Sequence, residues 1–153
     1  MSSIPLEYRE DYQKIEHYCA FQEHCEFDVR KKLKERKIPT ELTTLFIGKL
    51  RSDKFLDDNR YCQSFVNDHI NIKRWGKQKI YSALKMKQLS KSAIENSLKS
   101  IPNSTYLENL HHLFDKKSRE LNTDKDDAKK KAKIIRYLAS NGYEMNLIYS
   151  LFD

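Results

Sequence analysis

Glycine and proline are scarce in this chain, with three of each among 153 residues. Sheet proteins need frequent turn residues, so the shortage argues against a sandwich or barrel and for long helices joined by few turns. No apolar run approaches the roughly 18 residues of a membrane span. The opening residues, MSSIPLEYRE, lack the apolar segment of a secretory signal, so a cytoplasmic location is expected. Cysteine is rare too: three thiols, an odd number, argue for buried free cysteines and against a disulfide framework. Nucleophile-elbow, P-loop, dinucleotide-turn and HExxH patterns are all missing. Gly48 and Gly76 stand alone, which excludes the usual phosphate-cradling loops. The chain therefore reads as a binding protein, with no enzymatic activity and no cofactor expected.

Two histidine clusters need weighing. His17, Cys19, His24 and Cys25 invite a zinc reading, but metal ligands usually come as close pairs from two separated segments, and no second pair exists. Cys19 is better placed as a small core residue, and no metal is expected. His111 and His112 lie within an apolar helix, so at least one is expected in the core or at its boundary.

What the chain does have is an internal repeat. VRKKLKERKI (29–38), IYSALKMKQL (80–89) and IIRYLASNGY (134–143) align without gaps. Val29, Ile80 and Ile134 share one column, Leu33, Leu84 and Leu138 the next, and Ile38, Leu89 and Tyr143 a third. The first two columns are one helical turn apart, so each pair makes one apolar face. A second helix follows each, marked by Leu42, Ala93 and Leu147 and then by Ile47, Leu98 and Phe152. Leading helices are expected over roughly 7–22, 57–73 and 103–121, with Tyr61, Phe65 and His69 forming one stripe and Tyr106 and Leu110 another. Asp57 or Asp58, Asn103 or Ser104, Thr40 and Ser90 are the expected N-caps, and Gly142 the helix-ending residue with left-handed freedom. The charged run NTDKDDAKKKAK (122–133) puts acids before bases, as a solvated helix start should. The expectation is an all-α chain of three tandem three-helix repeats, 1–56, 57–104 and 105–153, in an elongated, curved arrangement. A single compact bundle, with the repeat only ancestral, is the alternative.

The net charge is +7, and it is unevenly spread. Residues 1–56 hold 11 Lys or Arg against 10 Asp or Glu, residues 57–104 hold 9 against 4, and residues 105–153 hold 9 against 8. The middle repeat is thus a cationic patch, suited to a polyanion or an acidic protein surface. Lys73, Arg74, Lys77, Lys79, Lys85, Lys87 and Lys91 are its candidate contact residues, and they are expected to be exposed. Trp75 is expected at the apolar junction between two helices, although it and Tyr81 could stack on bases.

The segments YCAFQEHCEFDVRKKL, FLDDNRYCQSFVNDHI, RWGKQKIYSALKMKQLSKSAIENSL and KIIRYLASNGYEMNLI resemble successive signatures of the RecX family, bacterial regulators of the RecA recombinase. The resemblance runs from about Tyr8 to Phe152, and its most specific part is the block from Arg74 to Ile80. It implies three tandem three-helix repeats that bind in the groove of a RecA filament on DNA, and a monomer is expected. There it would restrain filament growth or promote disassembly, lowering strand exchange, ATP hydrolysis and co-protease action, within regulation of DNA repair and the SOS response. It implies no catalytic residues, and it places the family's positive surface at Arg74, Lys77 and Lys79. A general DNA-binding protein acting through single or double strands is the alternative. This chain departs from the family pattern at Gly76-Lys77, where Gly-Pro is common. It departs again at Lys87-Gln88-Leu89 and Lys37-Ile38, where the hairpin turn lacks its glycine.

Overall fold

The computed structural model describes residues 3–153. After a short 3-10 turn at Leu6–Tyr8, the described residues form nine α-helices and no strand. They are α1 (Arg9–Phe21), α2 (Glu26–Glu35), α3 (Thr40–Ser52), α4 (Asp58–Asn71), α5 (Lys77–Met86), α6 (Lys91–Lys99), α7 (Asn103–Glu120), α8 (Asp127–Ser140) and α9 (Met145–Ser150). The sequence is three tandem three-helix repeats. Each helix buries one stripe: Tyr12, Ile15 and Cys19 on α1, Tyr61, Cys62, Val66 and Ile70 on α4, Tyr106, Leu110 and Leu113 on α7. Val29, Ile80 and Ile134, Leu33, Leu84 and Leu138, and Ile38, Leu89 and Tyr143 are all buried, so every member of the three aligned columns faces a core.

The turn between the second and third helix of each repeat closes in the same way. Lys37, Gln88 and Gly142 occupy equivalent positions with φ of 60°, 64° and 95°. In each, the next amide donates back to the column leucine: Ile38 to Leu33 at 3.0 Å, Leu89 to Leu84 at 3.3 Å, Tyr143 to Leu138 at 3.2 Å. The missing glycines therefore do not alter the turn. Lys37 and Gln88 take the left-handed conformation at a cost of about 1 kcal/mol each, which packing around the leucines offsets.

The caps are mixed. Asp57, Ser90 and Asp126 accept from the amides of Arg60, Ala93 and Lys129. Thr40 and Asn103, by contrast, are the first helical residues and not caps, and Ser104 lies a residue further in. Pro39 and Pro102 stand just before them in extended conformation, and their fixed φ sets the chain's entry into the helix.

The three repeats do not stack as equals. One core belongs to α1–α3 and is built on Ile15, Val29, Leu33, Phe46 and Leu50. A second runs without a break through α4–α9, from Cys62 and Val66 through Leu84 and Ile94 to Tyr106, Leu138 and Ile148. The junction inside this second body is made by backbone. A Cβ placed on Gly76 would lie 2.2 Å from the Gly142 carbonyl carbon, so only glycine lets the two chains approach this closely.

The joint to α1–α3 is largely polar. Arg60 Nε donates to both Glu23 oxygens at 2.7 and 2.9 Å, Arg51 bridges Glu26 at 2.9 Å and Asp58 at 3.2 Å, and Lys87 pairs with Asp28. Cys25 is the buried side chain that α1–α3 contributes to the other core. The total accessible surface is 9802 Å², against roughly 8,100 Å² for a compact protein of 18.3 kDa. That excess is the mark of an elongated chain.

Candidate functional site

The cationic block lies at the corner between α4 and α5. After α4, Arg74 takes a left-handed conformation with φ of 55°, which turns the chain sharply back. The Trp75 amide donates to the His69 carbonyl at 2.9 Å and closes this turn. α5 has Gly76 as its N-cap and so no side chain to cap it. Its first amides are satisfied instead by the third repeat: Gly76 N–H donates to Asn141 O at 2.7 Å, Lys77 N–H to Tyr106 Oη at 2.9 Å, and Gln78 N–H to Gly142 O at 3.0 Å. The C-terminal carbonyls of α8 thus point into the amino end of α5, a head-to-tail contact that the helix dipoles favour. Tyr106 Oη in turn donates to Glu144, and Tyr143 Oη donates to the Arg74 carbonyl at 2.7 Å. Burial, together with the neighbouring Glu144, pushes both phenols far above their ordinary value, so they act as fixed donors.

The lysines of this corner lie on an aromatic platform. Phe65 and His69 stack at 3.8 Å, and the His69 ring lies 4.4 Å from Trp75. Lys79 Nζ is 4.2 Å from the Trp75 ring centre and Lys73 Nζ 5.6 Å, while Lys77 Nζ is 4.7 Å from the Tyr106 ring. His69 Nδ1 donates to the Phe65 carbonyl at 2.7 Å. Burial lowers the His69 pKa, and the charges of Lys73 and Lys79 add to this against the pull of the Phe65 carbonyl and of Asp68. The ring is therefore neutral at pH 7 and contributes surface to the platform without charge.

The seven candidate residues do not form one even face. Lys73, Arg74, Lys77 and Lys79 come together at the corner. Arg74, Lys77 and Lys79 are half-buried, contrary to the exposure expected of them; Lys77 lies over Tyr106, and Lys79 lies over Trp75 with its stem against Gly142. Lys85 is exposed on α5. Lys91 is exposed and lies 3.8 Å from Glu95 on its own helix. Lys87 is turned away to the joint, where it pairs with Asp28 and lies 5.5 Å from the Phe27 ring. Trp75 packs half-buried against the second core, at the junction expected for it.

The histidine clusters resolve differently. His111 and His112 are both exposed; the buried polar residue of that helix is Asn109, whose amide donates to the Ile70 carbonyl at 2.9 Å. The expectation of a core histidine there fails because α7 turns its 106, 109, 110 and 113 face inward. His17 is exposed, while His24 stacks on Tyr18 at 3.7 Å with Nδ1 3.5 Å from Asp28. Cys19, Cys25 and Cys62 are buried thiols that burial pushes up to about 11.

Tyr106, Tyr143 and Glu144, which fix the corner from the third repeat, were not visible as site residues in the sequence. Their signal is long-range, 29 to 69 residues away from their partners.

These observations place the chain among all-α proteins built of tandem three-helix units, here with a cationic corner between α4 and α5. Comparison with known proteins agrees with that class. Residues 57–98 match the second three-helix domain of RecX, and residues 104–152 match the third. The chain belongs to the RecX family. The regulatory protein RecX of Clostridium botulinum (strain Alaska E43 / Type E3) is 36% identical over 124 residues, 80% of this chain and 58% of the relative. That of Limosilactobacillus reuteri (strain DSM 20016) is 25% identical over 142 residues, 93% of this chain and 53% of the relative. That of Pseudomonas savastanoi pv. phaseolicola is 28% identical, covering 88% and 84%. The chain thus spans little more than half the length of the first two. A crystal structure of a regulatory protein RecX superposes with a TM-score of 0.83 at 26% identity, covering 90% of this chain and 68% of that one. RecX from Lactobacillus salivarius shares the fold, with a TM-score of 0.82 at 22% identity over 94% of this chain and 92% of that one. No helix among the described residues is long and apolar enough to cross a membrane.

Proposed function

We propose that this protein binds the RecA filament and restrains it, lowering its strand-exchange, ATPase and co-protease activities in the regulation of DNA repair and the SOS response. It acts in the cytoplasm as a monomer, without catalysis of its own. The observation that carries this reading is the α4–α5 corner, in a chain of the RecX family. Lys77 and Lys79 are held there over Tyr106 and Trp75, beside Lys73 and Arg74, and a pre-positioned cation loses less freedom on binding than a free one. An elongated arc can also touch more than one protomer, and each added contact raises effective concentration.

General DNA binding would use the same lysines. The two are separated by comparing binding to bare single strands with binding to recombinase-coated strands. The test of the corner is titration of wild type and of the Lys73→Gln, Arg74→Gln, Lys77→Gln, Lys79→Gln variant into an ATP-hydrolysing filament at several salt concentrations. Glutamine keeps much of each stem, so the packing on Trp75 and Tyr106 is largely retained. The variant should fold and fail to inhibit. A folded variant that inhibits as strongly as wild type refutes the assignment of the corner. If the contact is to phosphates, the salt slope should flatten by roughly one unit per cation lost.

A further inference from the structure

The C-terminal repeat is nearly neutral in sum, yet four of its polar and basic side chains gather along one helix face. Lys129, Lys133, Arg136 and Ser140 recur on α8 at steps of four, three and four, which places them along one narrow face. Two acids lie beside this face, Asp124 in the turn before α8 against Lys133 and Glu120 at the end of α7 against Lys117, while Asp126 and Asp127 cap and open the helix. Where this face meets α7 there is an open cleft of about 350 Å³, lined by Lys117, Lys133, Arg136, Tyr137 and Ser140. Lys117 Nζ lies 4.9 Å from the Tyr137 ring centre and 3.3 Å from Glu120. Lys133 Nζ lies 3.0 Å from Asp124. Arg136 is exposed and forms no ion pair among the described residues.

We propose that this α7–α8 cleft is a second anion-binding site, which takes the phosphodiester backbone of a nucleic-acid strand. Three cations converge on one cleft, so the ligand is an anion. They continue as a row, with Lys129, Lys133 and Arg136 rising along about 10 Å of helix, which matches a linear polyanion better than a single compact one. Arg136 offers the planar fork that suits a phosphate, and it is free to do so. Asp124 and Glu120 hold Lys133 and Lys117 in their absence, and the strand displaces these carboxylates as it enters. The site shares no residue with the α4–α5 corner, so it can fail while the corner stands.

The test is fluorescence anisotropy of a labelled single-stranded oligonucleotide across a salt series, with the full chain. Wild type is compared with Lys133→Ala/Arg136→Ala and with a charge-matched control, Lys14→Ala/Lys31→Ala, on exposed positions of the first repeat. The cleft variant should bind more weakly, with a log–log salt slope flatter by about 1.4, two single-strand phosphate contacts. The control should keep close to the wild-type slope. Asp124→Asn, which releases Lys133, should bind more tightly than wild type and more tightly than Glu41→Gln, a neutralised carboxylate on α3. Helicity by circular dichroism checks the fold of each. The proposal is overturned if the cleft variant keeps the wild-type slope, if the control loses as much, or if wild type does not bind the strand at low salt.

Discussion

Replacing Gly76 by alanine would test how the second and third repeats are joined. A methyl at this position would meet the Gly142 carbonyl carbon at 2.2 Å, its oxygen at 2.3 Å and the Tyr143 nitrogen at 2.4 Å. All three are backbone atoms, so no side-chain rotation relieves the clash, and the two segments must separate. Separation weakens the Gly76–Asn141 and Gln78–Gly142 hydrogen bonds, worth about 1 kcal/mol each. Overpacking adds about 1–3 kcal/mol. The backbone at Gly76 has φ of −79°, an ordinary value, so alanine would otherwise gain about 0.4–1 kcal/mol from a less flexible unfolded chain. The expected net loss is about 2–4 kcal/mol, a large part of the stability of an ordinary domain. Urea melts of wild type and Gly76→Ala, fitted for midpoint and slope at the transition of the α4–α9 body, measure it. Gly142→Ala should behave alike, since its Cβ would lie 2.4 Å from the Lys79 Cβ at a φ of 95°. The double variant should lose less than the sum, because the second methyl enters a joint already opened. If the Gly76→Ala and wild-type melts overlay, the close backbone approach does not exist and the reasoning about the corner falls with it.

Other outcomes follow from the same packing. Leu84 is completely buried, so Leu84→Ala should cost about 2–5 kcal/mol in the same melts, and overlaid curves would place it at the surface. Burial pushes the Asp28 carboxyl up, but the hydrogen bond and charge of Lys87, with the Cys25 amide, outweigh it and hold it below the ordinary carboxylate value. Its ionised form therefore stabilises the joint above about pH 4 and that contribution fades as pH falls through the lowered value. In Lys87→Ala the carboxyl loses this cation and keeps only the Cys25 amide and His24, and the stability gap to wild type should narrow below pH 4; a gap independent of pH would refute the pairing. With thiols raised to about 11 and buried, Cys19, Cys25 and Cys62 should react with a thiol reagent at pH 8 far more slowly in the native protein than in urea.

Much of this architecture could be read from residue spacing, because the aligned leucines obey a local rule: Leu33, Leu84 and Leu138 sit one turn from an apolar neighbour and all face a core. The leading helices and the Asp57 and Ser90 caps follow from equally local signals. Caps at Thr40 and Asn103 did not, since an adjacent proline moved the helix start by one residue. Within the charged block the limit is of another kind. Sequence placed the cations but could not say which are already engaged: Lys87 finds Asp28 across 59 residues, and Lys77 and Lys79 lie over rings whose positions depend on the fold. Summed charge likewise concealed the α7–α8 cleft, because a count does not show that Lys117, Lys133 and Arg136 meet there, or that Lys117 and Lys133 have acidic partners while Arg136 has none among the described residues.

The contrast between the two joints bears on how the molecule unfolds. A backbone-to-backbone junction with a continuous core makes α4–α9 one cooperative unit, whereas α1–α3 is tied to it mainly by side-chain ion pairs. Ion pairs at a partly exposed joint transmit little free energy and are screened by salt. Native-state hydrogen exchange should therefore show amides of α1–α3 opening through a separate, lower-energy event, and calorimetric enthalpy should exceed the van't Hoff value. A single melting temperature would describe neither body, and raising the ionic strength would pull the two transitions further apart.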